Sequence, residues 1–158
     1  MPPFLSIAGL TKQYRGSTHP AVNDLAFTLD EGEILVLLGS SGCGKSTTLR
    51  LIAGFERPDS GKILLRGRDL VAGRVPPERR GIGFVFQDLA LFPHLTVSAN
   101  VGFGLTGSQA AHRGDQVQSL LRQCGVGRLG ERYPHEISGG EQQRGALAGA
   151  VAPANALI

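Results

Sequence analysis

At 158 residues, with 41% apolar and 18% charged content, the chain has the composition of one globular domain with a sizeable core, which excludes a disordered or fibrous protein. Its net charge of +3 comes from basic residues spread along the chain, a pattern that fits a polyphosphate ligand or a solvated surface and gives no case for nucleic acid. Two cysteines without metal-type spacing, an N-terminus without a basic region, and an uncharged stretch over 145–158 broken by Pro153 and Asn155 argue against a disulfide framework, a secretory leader and a membrane span. A chain soluble by itself in a reducing cytosol is expected.

Residues 4–8 and 25–29 read as short strands. Between them Thr11-Lys12-Gln13-Tyr14-Arg15-Gly16 reads as a polar loop carrying an aromatic. The apolar run Ile34-Leu35-Val36-Leu37-Leu38 predicts a buried strand. It leads into Gly39-Ser40-Ser41-Gly42-Cys43-Gly44-Lys45-Ser46-Thr47, which has the form G-x-x-x-x-G-K-S, and then into helical spacing stopped by Gly54. Strand, glycine-rich turn and helix are the context this pattern needs to hold phosphate. The glycines let the backbone wrap around phosphate oxygens, and the helix start adds its positive dipole end. Lys45 supplies a point charge, and the Ser46 hydroxyl suits Mg²⁺. The plain alternative is an ordinary Gly/Ser turn into a helix. Cys43 is a small filler of this turn, or a thiol made reactive by the helix start.

A turn at Pro58-Asp59-Ser60-Gly61 precedes a strand over 62–66. Residues 67–80 read as loop, with Arg79 and Arg80 as a solvated cluster. A compact strand over 82–86 ends at Gln87. Thr96 reads as a helix N-cap, with the helix running to about 103. Val117, Leu120, Leu121 and Cys124 share a helical face stopped by Gly125, and 89–135 is expected to be mostly helix. Ser138-Gly139-Gly140-Glu141 opens a last helix that Pro153 ends. Its start is either a Ser N-cap with Glu at N3 or a second anion site.

The two glycine motifs in this order, on either side of a helical stretch, resemble the nucleotide-binding subunits of ATP-binding cassette (ABC) transporters over essentially the whole chain. That resemblance implies an α/β, P-loop NTPase-like core with an N-terminal antiparallel β part and an inserted helical subdomain. The divisions are 1–88 for the nucleotide-binding core, 89–136 for the helical subdomain, and 137–158 for the signature motif and its helix. It implies ATP and Mg²⁺ as ligands. Gly39, Ser40, Ser41, Gly42, Cys43, Gly44, Lys45, Ser46 and Thr47 hold phosphate, and Tyr14 stacks on adenine. Ser46 and Gln87 face the metal, and Lys45 and Gln87 serve catalysis. Ser138, Gly139 and Gly140 close over the ATP of a partner copy. From the residues alone, Tyr14 is equally a loop aromatic covering the core edge, and Gln87 a polar strand end. Loop 88–97 is a contact for the membrane subunit or a surface connection, and His94 in it packs.

The implied partners are a second ATPase subunit placed head to tail, integral membrane permease subunits and, indirectly, a periplasmic or extracellular solute-binding protein, with no nucleic acid. The implied place is the cytoplasmic side of the inner membrane. Pro76-Pro77-Glu78-Arg79-Arg80 and Leu91-Phe92-Pro93-His94-Leu95-Thr96-Val97 look like the importer ATPases for ferric iron, spermidine/putrescine, sulfate and maltose-type sugars. Tyr133-Pro134-His135-Glu136 and Gly54-Phe55-Glu56 look most like the ferric-iron branch.

The sequence departs from the family at its end. The family's strand ending in Asp-Glu follows the signature helix, and here Ala156-Leu157-Ile158 reads as that strand beginning, with no acidic residue after Glu141. The C-terminal part of the core is therefore expected to be absent from these residues, either by truncation of an importer ATPase or in a fragment that binds nucleotide without hydrolysing it. Glu141 replaces the usual Gln of the signature. Gly145 and Gly149 replace the usual Val and Arg, each costing about 0.5–1 kcal/mol of helix stability relative to Ala.

Overall fold

A computed structural model of the chain describes residues 2–105, 113–153 and 155–158. It forms an α/β fold in two compact units, Met1–Arg80 and Gly81–Ile158.

The first unit holds an antiparallel sheet in the order β2-β1-β3-β4, from β1 (Leu5–Lys12), β2 (Val22–Leu29), β3 (Ser60–Leu65) and β4 (Arg68–Asp69). In the register, Leu5 lies opposite Leu29 and Leu65, and Ile7 opposite Phe27 and Ile63. Leu5 and Ile7 are buried with period two; the pairing then slips after Ile7, and Leu10 is the next core residue. This slip hides the outer half of β1 in the sequence. Thr11 and Lys12, expected in a loop, are strand residues whose carbonyls accept from Asp59 N (2.9 Å) and Ala21 N (2.7 Å).

Helix α1 (Lys45–Ala53) buries Thr48, Leu51, Ile52 and Ala53 and ends at Gly54, whose N–H donates to Arg50 O (2.9 Å). Arg80 departs from the solvated cluster expected of it. Its guanidinium is half-buried against backbone carbonyls, while Arg79 stays exposed on the 3-10 turn Pro77–Arg79.

The run 34–38 forms no strand. Ile34 is 91% and Leu38 87% exposed, and none of the strands formed by the described residues includes it or pairs with it. A run that is apolar at every position suits a parallel strand covered on both faces, and no such strand forms over it here.

The second unit is helical. It contains α2 (Val97–Val101) with a 3-10 turn over Gly102–Gly104, α3 (Arg113–Gln123) and α4 (Gly139–Val151). Val97, Val101, Leu105, Val117, Leu121, Val126, Ala148 and Ala152 form one core, so the helix after Ser138 packs together with residues of 89–136. Thr96 caps α2 by accepting from Ala99 N, and α3 stops just before Gly125. Segment 82–86 also forms no regular strand. Ile82 forms a parallel bridge to Leu157, with Gly83 N donating to Leu157 O (2.7 Å) and Ala156 N to Gly81 O (2.8 Å). Residues 106–112, part of the stretch expected to be mostly helix, lie outside the described residues.

A methyl group at Gly145 would lie 3.5 Å from Val97 Cγ1, and one at Gly149 3.8 Å from Val101 Cα, both ordinary contacts. Gly145→Ala and Gly149→Ala should therefore each stabilise the fold by about 0.5–1 kcal/mol, read as a higher urea midpoint. A lower midpoint would mean that α2 and α4 need the closer approach.

Candidate functional site

Helix α1 begins directly at the glycine-rich turn. Its N-cap is Gly44, no side chain caps it, and its first turn holds no acidic residue. The amides that start a helix have no partners within it. Here they also lack the carboxylate or hydroxyl that usually answers the positive end of the dipole. Gly44 has φ 93°, and an added Cβ would strike the carbonyl oxygen of Ala21, so only glycine fits. Ala21 ends the connection between β1 and β2 that also carries Tyr14, so this connection braces the turn.

Lys45 Nζ donates to Gly39 O and Ser40 O, both at 2.7 Å, and lies 3.5 Å from Cys43 Sγ. The ammonium is thus curled into the turn, holding two of its carbonyls. Cys43 and Ser46 are exposed, while Thr48 is buried. A cleft of about 440 Å³ runs beside the turn, lined among others by Ala21, Val22, Leu37, Cys43, Lys45 and Thr48. The Tyr14 ring is partly exposed and carries the Lys12 ammonium 5.5 Å from its centroid. Lys12 is itself tied to Arg57 O (2.8 Å) and close to Glu56 and Asp59.

In the second unit Gln87 is exposed in a turn closed by Leu89 N donating to Phe86 O (2.9 Å). Leu89 (φ 63°) and Ala90 (φ 45°) follow it in the left-handed region, a costly conformation for residues with a Cβ. The loop beyond is held by a residue that the sequence did not single out. Asn100 Oδ1 accepts from Phe92 N (2.8 Å), and its Nδ2 donates to Phe92 O (3.1 Å), Leu95 O (3.0 Å) and Thr96 O (3.0 Å). Phe92 packs on Phe103 (4.6 Å) and on His94 (5.9 Å), so His94 takes the packing role.

Ser138 caps α4 with both halves of a capping box. Its Oγ accepts from Glu141 N (3.4 Å) and donates to Glu141 Oε2 (2.8 Å), and its N–H donates to the same oxygen (2.9 Å). Arg128 lies 3.6 Å from Glu141 Oε1. The Ser138 backbone and hydroxyl bonds, helped by Arg128 and Arg144, hold the Glu141 carboxyl below the usual carboxylate range. Gly139 and Gly140 are exposed, with nothing near Gly139 and only Arg144 Nη1 (3.7 Å) near Gly140. Among the described residues no group of three or more His, Cys, Asp or Glu side chains is placed to hold a metal, and no helix is long and apolar enough to cross a membrane.

The ABC transporter family profile matches residues 22–158. A spermidine/putrescine import ATP-binding protein of Frankia alni is 49% identical over 95% of this chain and 33% of its own length. A putrescine transport ATP-binding protein of Escherichia coli is 47% identical over 95% of this chain and 39% of its own. An Fe(3+) ions import ATP-binding protein of Haemophilus influenzae is 42% identical over 99% of this chain and 44% of its own. The chain thus spans less than half the length of these relatives. A solved dimeric ATP-binding cassette in a post-hydrolysis state, bound to ADP and Pi, superposes with TM-score 0.85 at 28% identity, over 96% of this chain and 70% of that one.

Because the Glu141 carboxyl is lowered in the fold, its stabilising effect is complete above its unfolded pKa of about 4.3 and is lost as pH falls through the folded value. Glu141→Gln should lower the melting temperature near neutral pH, and the gap to the parent should close on acidification below about pH 4. A gap that stays constant with pH would show that the charge contributes nothing.

Proposed function

The chain belongs to the ABC transporter family, and we propose that it is the ATP-binding part of an import ATPase, with α1 and its glycine turn as the phosphate site. The observation that carries this reading is the start of α1, a helix N-terminus with no cap, no carboxylate and a lysine at its first position. Donors without internal partners suit an anion.

In this reading the amides at the start of α1 and Lys45 bind the β- and γ-phosphates, and Lys45 exchanges its carbonyl partners for phosphate oxygens. Tyr14 offers its ring face to adenine. Ser46 and Gln87 are the residues that would hold Mg²⁺, which when bound offsets charge on the outer phosphates. Ser138, Gly139 and Gly140 face the ATP of a second subunit placed head to tail. Closure around ATP and opening after hydrolysis then form a ligand-biased switch. Loop 88–97 meets the membrane permease on its cytoplasmic side, and a solute-binding protein acts through that permease. Hydrolysis is assigned to the whole protein.

Ferric iron is the cargo suggested by Tyr133-Pro134-His135-Glu136 and Gly54-Phe55-Glu56. Both stretches have structural work here. Gly54 ends α1, and Tyr133 N donates to Glu136 Oε2 (2.8 Å) across a 3-10 turn. Neither reads a cargo, and the relatives named for spermidine and putrescine make a polyamine the second reading. Uptake of labelled iron and labelled putrescine by the assembled transporter separates the two.

Titration calorimetry with ATP·Mg should show binding that Lys45→Ala weakens by at least about ten-fold, the scale of one lost charge-assisted phosphate contact. Equal binding by both proteins would end the phosphate-site reading. Saturating ATP·Mg should also slow alkylation of Cys43, which lies within the turn; an unchanged labelling rate would place the nucleotide elsewhere.

A further inference from the structure

The far end of α1 poses the opposite problem to its start. The last carbonyls of a helix have no intrahelical donors. In α1 the Gly54 N–H answers Arg50 O, and Arg80, almost thirty residues along the chain, answers the next two. Its Nη1 donates to Leu51 O (2.9 Å) and Ile52 O (2.7 Å), and its Nε to Val75 O (2.9 Å). One planar guanidinium therefore bridges the last turn of α1 to the segment 75–80, with fixed geometry.

The approach is built into the backbone. A Cβ on Gly54 would fall 2.7 Å from Arg80 Cζ, so the residue that ends the helix also leaves room for the arginine. Partial burial lowers the guanidinium's pKa from its ordinary value, but an arginine keeps its charge in proteins, and a cation at a helix C-terminus complements the dipole. Arg79 beside it is exposed and makes no such bridge.

We infer that Arg80 is a positioning residue for the phosphate site, fixing the axis of α1 from its C-terminal end so that the N-terminal amides and Lys45 point at the nucleotide. The inference rests on the phosphate-site reading of α1. A nine-residue helix is about 13 Å long, so a tilt of a few degrees at its anchored end moves the amides at the other end by several tenths of an ångström. Hydrogen bonds to phosphate weaken steeply with such misalignment.

The test measures ATP·Mg affinity of the purified chain by calorimetry, at a temperature well below the melting midpoint of each variant. Arg80→Met keeps an apolar stem without donors, and Arg80→Lys keeps the charge with simpler donor geometry. Arg79→Ala is the control. Arg80→Met should raise the dissociation constant by about ten-fold and Arg80→Lys by less, while Arg79→Ala leaves it unchanged. If Arg80→Met does not fold, the graded effect of Arg80→Lys decides. A lowered melting midpoint with an unchanged dissociation constant would make Arg80 a purely structural cap and overturn the inference. Absence of binding by the parent chain would instead overturn the phosphate-site reading beneath it.

Discussion

An α-helix leaves donors bare at one end and acceptors bare at the other. In α1 the two ends are treated differently. The acceptors at the C-terminal end are closed from within the chain, by Gly54 and Arg80. The donors at the N-terminal end are not capped by any side chain, and the turn before them is bent by glycines and braced by Ala21. A helix anchored at its negative end and without a side-chain cap at its positive end suits an anion. The antiparallel sheet contributes the connection that carries both Tyr14 and Ala21.

The chain holds a second glycine-marked helix start with the opposite solution. At α4 the carboxylate of Glu141 takes the N–H and the hydroxyl of Ser138, and Arg128 stands beside it. The capping box thus occupies the N–H groups of Ser138 and Glu141. At α1 no carboxylate stands in the first turn, and Lys45 holds two carbonyls of the loop. The two helix starts therefore differ in what already occupies them. This contrast was partly legible in the motifs, since Ser138 with Glu141 at N3 reads as a capping box, whereas no such pair opens α1.

Local chemistry was legible in the sequence. Gly54, Thr96, Gly125 and Ser138 mark helix ends because each solves a problem within four residues of itself. What escaped was non-local. The register slip after Ile7 carried β1 onto polar residues that looked like loop. The run 34–38 looked like a buried strand, but a parallel strand is made by its neighbours and its own residues do not suffice. Arg80 looked like surface charge because its acceptors lie 28 and 29 residues away, and Asn100 looked like an ordinary helix residue although it holds the loop 92–96. Backbone carbonyls as partners leave no trace in residue types.

The central claim is that the start of α1 is where an anionic nucleotide binds. Hydrogen–deuterium exchange followed by mass spectrometry, with and without ATP·Mg, reads those amides directly. Peptides covering 39–49 should exchange markedly more slowly with ATP·Mg bound, while peptides from the start of α4 change little in the unpaired chain. Unchanged exchange over 39–49 at a nucleotide concentration that saturates the calorimetric signal would contradict the account.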